Sequence, residues 1–292
     1  MGAWSELSAS ARKTFVASFL GWSLDAFDFF LLTFVVTRIA ADFKHGIAEV
    51  AGAITLTLLC RPIGAFIFGW IADRYGRRTP LMIDIAFYSV VELLTAFSPN
   101  LTVFLALRAL YGVAMGGEWG LGAAMAMEVL PPKRRGLFSG ILQEGYMVGY
   151  LFAALAYFVV FRLADAFGFA QWNWRILFVA GVLPALLIFY IRAYVPESPA
   201  WLAGQRRTAT PEPMFLLRSL AQHWPLVVYA IFFMAALNFM SHGTQDLYAT
   251  FLQKQRGFTT DTVSTLSIVA AFGAIAGGTT FGALSQRWGR RA

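Results

Sequence analysis

The sequence predicts an all-α membrane protein with eight spanning helices, and three observations carry that reading. Of its 292 residues 58% are hydrophobic and 13% charged, where a soluble domain carries about 25% charged residues. Mean hydropathy is +0.62. Apolar stretches of about 20 residues recur, each long enough to cross the ~30 Å hydrocarbon core as a helix. Buried helices of a large soluble domain rarely run so long without charge.

The spans fall at 14–37, 50–72, 80–97, 101–127, 138–162, 174–194, 223–248 and 262–285. The first apolar run, Phe15 to Val36, is too long for a signal peptide and lacks a small-residue cleavage site; it is read as span 1. Ser98-Pro99-Asn100 and Pro131-Pro132 break the chain between spans. The polar stretch 195–222, with Pro196, Pro199, Pro211 and Pro213, reads as a cytoplasmic linker. It divides a six-helix bundle (1–194) from the start of a second bundle (223–292, spans 7 and 8). The lone Cys60 rules out an internal disulfide.

The net charge of +7 is a matter of topology, not of nucleic-acid binding. Arg12, Lys13, Arg74, Arg77, Arg78, Lys133, Arg134, Arg135, Arg206, Arg207, Arg218, Arg287, Arg290 and Arg291 fall on one side of the membrane. Arg38, Lys44, Arg162, Lys254 and Arg256 fall on the other. The basic excess marks the cytoplasmic face and puts the N-terminus inside.

Gly69-Trp-Ile-Ala-Asp73-Arg74-Tyr-Gly76-Arg77-Arg78 closes span 2, and Gly282-Ala-Leu-Ser-Gln286-Arg287-Trp-Gly289-Arg290-Arg291 closes span 8. Span 7 then repeats span 1, and span 8 repeats span 2. Such internal repeats are a mark of secondary transporters.

Several polar residues interrupt the apolar spans. At 100° per residue Asn238, Ser241, His242, Gln245 and Asp246 fall within about 140° of one face of span 7. Phe239, Met240, Gly243 and Leu247 occupy the rest. A polar stripe in a membrane helix must face protein or water. His242 and Asp246 are four apart and stack. A histidine beside a carboxylate titrates near neutral pH, which suits a proton carrier; a purely structural His–Asp pair is the alternative. In span 1, Asp25 and Asp28 are three apart, and the repeat aligns Asp25 with Asn238. An ionised aspartate at mid-membrane costs about 2.5–3.5 kcal/mol, so such groups need partners or a function. Asp25, Asp28 and Glu144 are the alternative proton sites.

Arg61 lies well inside the apolar run of span 2. A guanidinium grips a carboxylate with a two-pronged fork, so Arg61 is a candidate anion site, as is Arg108 in span 4. For Arg61, a structural pair with an aspartate or Glu118 is the other reading. Asp84, Glu92 and Glu118 are further embedded acids. Gly112, Gly116 and Gly120 recur every four residues in span 4, spacing suited to close helix packing. Asp73, Arg74, Gly76, Arg77 and Arg78 form a cytoplasmic loop whose arginines are expected to latch helix ends and carboxylates in one conformation, as a gate between bundles.

Asp73-Arg-x-Gly-Arg-Arg78 and its repeat, together with Arg108-x-x-x-Gly112-x-x-x-Gly116, resemble the major facilitator superfamily. Arg61-Pro62-x-Gly64-Ala65-x-x-Phe68-Gly69, Gly116-Gly117-Glu118-Trp119-Gly120, Trp174-Arg175 and Pro196-Glu197-Ser198-Pro199 are similar to its proton-coupled carboxylate branch, which includes sialate and lactate permeases. Asn238-x-x-Ser241-His242-x-Thr244-Gln245-Asp246-x-x-x-Thr250 resembles a motif of lactate/pyruvate:proton symporters. The resemblance implies a twelve-helix transporter, of which this sequence holds eight helices. It implies a substrate site at Arg61, Asn238, Gln245 and Arg108, with proton coupling through His242 and Asp246. Gln143-Glu144-Gly145 departs from the lactate-permease pattern and leaves other acids or zwitterions open, such as sialate, an aromatic acid or a betaine.

The expected function is symport of a small monocarboxylate with a proton, by a monomer in the inner (plasma) membrane, without cofactor, metal or nucleic-acid partner. No Gly-x-x-x-x-Gly-Lys-[Ser/Thr] run points to ATP. An enzyme would need a metal cluster or an activated nucleophile. The three histidines, His45, His223 and His242, lack His-x-x-x-His spacing, and the first two lie at membrane edges. A truncated, non-transporting product is a third expectation.

Overall fold

The computed structural model describes residues 4–205 and 221–288. Arg206, Arg207, Arg218, Arg290 and Arg291 lie outside the described residues, as do most of the linker and the side chain of Arg287. Eight helices among the described residues are long and apolar enough to cross a membrane, in the expected order.

The helices are α1 (Ala9–Phe43), α2 (Ile47–Tyr75), α3 (Arg78–Ala96), α4 (Leu101–Val129), α5 (Arg135–Ala166), α6 (Asn173–Ala180), α7 (Ala185–Tyr194), α8 (Pro199–Gln205), α9 (Trp224–Gln245), α10 (Tyr248–Lys254) and α11 (Thr260–Trp288). Their starts follow local chemistry. Ser8 Oγ accepts from the Ala11 N–H at 3.1 Å, and Asn100 Oδ1 accepts from the Val103 N–H at 3.0 Å, each capping a helix N-terminus. The Gly46 N–H donates to Glu49 at the start of α2. Outside the spans, Arg134 donates through Nε and Nη2 to Glu6 at 3.0 and 2.7 Å. These bonds hold the Glu6 carboxyl below its ordinary range.

Two spans are broken. Span 6 comprises α6 and α7, joined by a turn at 181–184, where Pro184 has no N–H to give to the Ala180 carbonyl. Span 7 comprises α9 and α10, and the break at 246–247 sets Asp246 at the end of α9.

α1 is the central helix, with Phe29 to Val36 almost wholly enclosed. α2 packs on α4, α5 on α1, and α11 on α5. Glycines set these approaches. A Cβ at Gly64 would overlap the Val113 carbonyl, one at Gly112 the Thr57 carbonyl, and one at Gly116 the Arg61 carbonyl. Gly120 differs from its expected packing role: a Cβ there meets nothing within 4 Å. Four residues is slightly more than one turn, so the stripe rotates off the α2 contact. α9 buries none of its residues and turns an apolar face outward, with Phe232, Phe239 and Met240 exposed.

Candidate functional site

A cavity of about 340 Å³ opens between α2 and α9. Thr55 and Leu58 line it from α2; Asn238, Phe239, His242 and Asp246 line it from the other side. Ala51, Ile54, Thr55 and Leu58 form one stripe of α2, and Arg61 is the next residue on that stripe. Pro62 sits inside α2 and cannot donate to the Leu58 carbonyl, one turn back.

His242 Nδ1 stands 3.0 Å from Asp246 Oδ2 and 3.2 Å from Oδ1. The expected stacking one turn apart is therefore present. The Phe29 and Tyr146 rings meet the imidazole edge-on, with centroids at 6.0 and 6.4 Å. Asn238 lines the cavity while its Nδ2 donates to the Met234 carbonyl at 2.8 Å. Gln245 is half-buried and makes no hydrogen bond among the described residues.

Arg61 is half-buried, and among the described residues it has no hydrogen bond and no ion pair. It stands within electrostatic reach of Asp25 and Tyr146.

Arg108 is placed differently. Its side chain is 1% exposed and donates to Glu92 at 2.5 Å and to Thr95 Oγ1 at 2.8 Å. It also lies over the Tyr111 ring, 4.6 Å from the centroid. Its ion-pair partner is Glu92, on α3. Arg108 is thus not brought to the α2–α9 cavity.

Around this pair lie Asp25, Asp28, Asp84 and Glu118, all buried. Tyr111 donates to the Asp25 carbonyl at 2.8 Å. Both oxygens of Asp28, Asp84 and Glu118 lack a hydrogen-bond partner. Asp28 is in electrostatic reach of Glu92, Asp25 and Arg108. Asp25 is the joint between the two groups, because it is in reach of both Arg61 and Glu92. Glu144 is not in this cluster. It faces α11, where a Cβ at Gly278 would overlap its carboxyl.

The loop after α2 is held by residues that sequence reasoning did not select. Glu197 accepts from the backbone N–H groups of Arg77, at 2.7 Å, and Arg78, at 3.2 Å. Gly76 has φ 92, and a Cβ there would run into the Glu197 carboxylate, so the position suits glycine on both counts. Arg77 pairs with Asp73 at 2.6 Å and lies 3.8 Å from Glu128; Ser198 hydrogen-bonds Glu128. Arg78 donates to the Arg192 carbonyl, and Arg74 lies over the Trp70 and Tyr75 rings. Among the described residues these contacts tie the loop to α4, α7 and α8, and none reaches α9 or α11.

The other end of the molecule does join α1 and α5 to α10 and α11. Thr37 donates to Gln253 at 2.8 Å, Gln253 to Tyr157 at 3.1 Å, and Tyr157 to Thr260 at 3.5 Å. Arg162 pairs with Asp261 at 2.8 Å.

Residues 13–215 match the sugar (and other) transporter family. The chain belongs to that family, within the major facilitator superfamily. Family members are transporters, not enzymes. A carboxylic acid transporter protein homolog of Saccharomyces cerevisiae is 29% identical over 299 residues, covering 95% of this chain and 47% of the yeast protein. The sialic acid transporter NanX of Escherichia coli is 28% identical over 290 residues, covering 98% of this chain and 68% of NanX. The chain thus spans about half the length of the yeast relative. The D-xylose-proton symporter shares the fold, with a TM-score of 0.72 at 21% identity, over 91% of this chain and 67% of that one.

Arg61, Asn238, His242, Asp246 and Tyr146 are brought to one region of this transporter-family fold. Arg108, Asp28 and Glu144 lie elsewhere in it. Tyr146, Glu197 and Glu128 were missed. Tyr146 carried a signal in its glycine neighbours, Gly145 and Gly149; Glu197 sits in a quoted motif but offers no sequence cue to its partner.

Proposed function

We propose that this chain carries a small organic monocarboxylate across the membrane together with a proton, by alternating access. The observation that carries the reading is Arg61, half-buried in a membrane bundle, whose side chain has neither ion pair nor hydrogen bond among the described residues. An incoming carboxylate supplies both. Asn238, which lines the α2–α9 cavity, and Gln245 supply the amides of the proposed site. Arg108 already has Glu92 as its counter-ion, so its role is to hold the interior together.

The proton is taken by the His242–Asp246 pair. A substrate anion next to it favours the protonated pair, and the protonated pair favours the anion, which is the reciprocal coupling symport requires. Asp25, in reach of Arg61, is the next candidate, followed by Asp28 and Glu144. The first bundle (1–194) and the segment from 223 onward rock about this site, joined by the 195–222 linker. The N-terminus lies in the cytoplasm and the membrane is the plasma membrane. The loop from Asp73 to Arg78 stiffens the cytoplasmic end through Glu197 and Glu128.

The names of the yeast and bacterial relatives, a carboxylic acid and a sialic acid transporter, favour an acid over a sugar. Lactate or pyruvate is the leading substrate type. Counterflow into proteoliposomes preloaded with lactate, pyruvate, nicotinate, sialate, betaine or xylose tests this. Exchange of one or more carboxylates and none of xylose is expected; exchange confined to xylose removes the reading.

A further inference from the structure

Gly145 and Gly149 bring α5 hard against α1. A Cβ at Gly149 would overlap the Ser23 carbonyl, and one at Gly145 would press on Trp22. Tyr146, next to Gly145, is thereby fixed between α1 and the end of α9. Its ring stacks on Trp22 at 5.5 Å and meets the Phe30 ring edge-on at 4.9 Å. His242 stands at its third side.

The hydroxyl of this clamped ring is buried and has no hydrogen-bond partner among the described residues. Buried hydroxyls are normally paired, and an unpaired one calls for an explanation. It stands in electrostatic reach of Arg61, Asp246 and Asp25. Asp246 is engaged with His242, and Asp25 Oδ1 is 3.4 Å from the Tyr111 hydroxyl. Arg61 offers donors alone, and the tyrosine hydroxyl offers one donor. A buried, unpaired hydroxyl within electrostatic reach of a guanidinium that has no ion pair among the described residues can meet the second oxygen of a carboxylate that the guanidinium holds.

We propose that Tyr146 is a substrate-binding residue whose hydroxyl donates to one oxygen of the carboxylate that Arg61 holds. The inference rests on the carboxylate reading and sharpens it. The site takes an acceptor-only carboxylate and discriminates against the matching amide, whose NH₂ would face the donor-only guanidinium.

The test uses the reconstituted chain, the acids of the counterflow panel and the amides of lactate and nicotinate. Tyr146→Phe should raise the half-saturation concentration roughly 10- to 100-fold, the worth of a hydrogen bond to a charged group, with a much smaller change in maximal rate. It should also narrow the preference for acid over amide. The ligand-free Tyr146→Phe protein should melt at or above the parent temperature, because it loses an unpaired buried hydroxyl. Unchanged half-saturation, or a ligand-free protein that melts lower, overturns the role of Tyr146. If Arg61→Lys still weakens the acid in that case, the carboxylate reading stands alone. If the parent exchanges no acid at all, the carboxylate reading falls and Tyr146 falls with it.

Discussion

Arg108 Nη2 lies 2.5 Å from Glu92 Oε2, with neither side chain more than 1% exposed. This contact ties α3 to α4 and neutralises the one buried guanidinium among the described residues. It separates two arginines that look alike in sequence: Arg108 has its counter-ion within the bundle, whereas Arg61 has no ion pair among the described residues.

Removing one member of a buried pair leaves the other uncompensated, at about 3–5 kcal/mol. Glu92→Ala should therefore lower the melting temperature in detergent by several degrees. Replacing both partners, with Glu92→Leu and Arg108→Met, should recover most of the loss. A Glu92→Ala protein as stable as the parent would show that the pair does not hold the bundle.

The α2–α4 contact makes a second, sharply position-dependent prediction. Overpacking costs about 1–3 kcal/mol, and Gly116 faces the Arg61 carbonyl with no room for a Cβ. Gly116→Ala should reduce folded yield and stability, whereas Gly120→Ala, facing open space, should leave both unchanged. Equal effects at the two positions would contradict the packing described.

The spans were legible because hydrocarbon thickness fixes the length of an apolar helix, and the His242–Asp246 pair because i and i+4 share a helix face. Neither principle reports which helix comes next to which. The partner of Arg108 is on α3, and nothing in the spacing of Arg108 singles out Glu92 among the embedded acids. The Glu197 contact to the loop spans about 120 residues of chain, and only tertiary folding creates it. The break after Ala180 was hidden for a different reason: apolar composition continues through it.

The polar chain from Thr37 through Gln253 and Tyr157 to Thr260, with the Arg162–Asp261 pair beside it, closes one end of the molecule. In a Cys60→Ser background, Arg162→Cys and Asp261→Cys should be joined by a bifunctional methanethiosulfonate reagent whose spacer covers the length of the lost arginine. Cross-linking should then arrest exchange, and a reductant should restore it. Undiminished exchange by fully cross-linked protein would mean that this end need not open.

Arg61→Lys keeps the charge and loses the planar fork. It should raise the half-saturation concentration for the transported acid about tenfold or more, read by counterflow, while melting close to the parent. Unchanged apparent affinity for every acid would remove Arg61 from the site.

The coupling of acid to proton is tested most directly by uphill uptake under an imposed pH gradient, acid outside, in proteoliposomes loaded at neutral pH. The parent protein should accumulate labelled acid above equilibrium and lose the excess when the gradient is collapsed. His242→Ala should exchange acid at equal pH but accumulate none. Accumulation by His242→Ala equal to the parent would assign the proton elsewhere. Parent uptake that ignores the gradient would contradict proton-coupled transport itself.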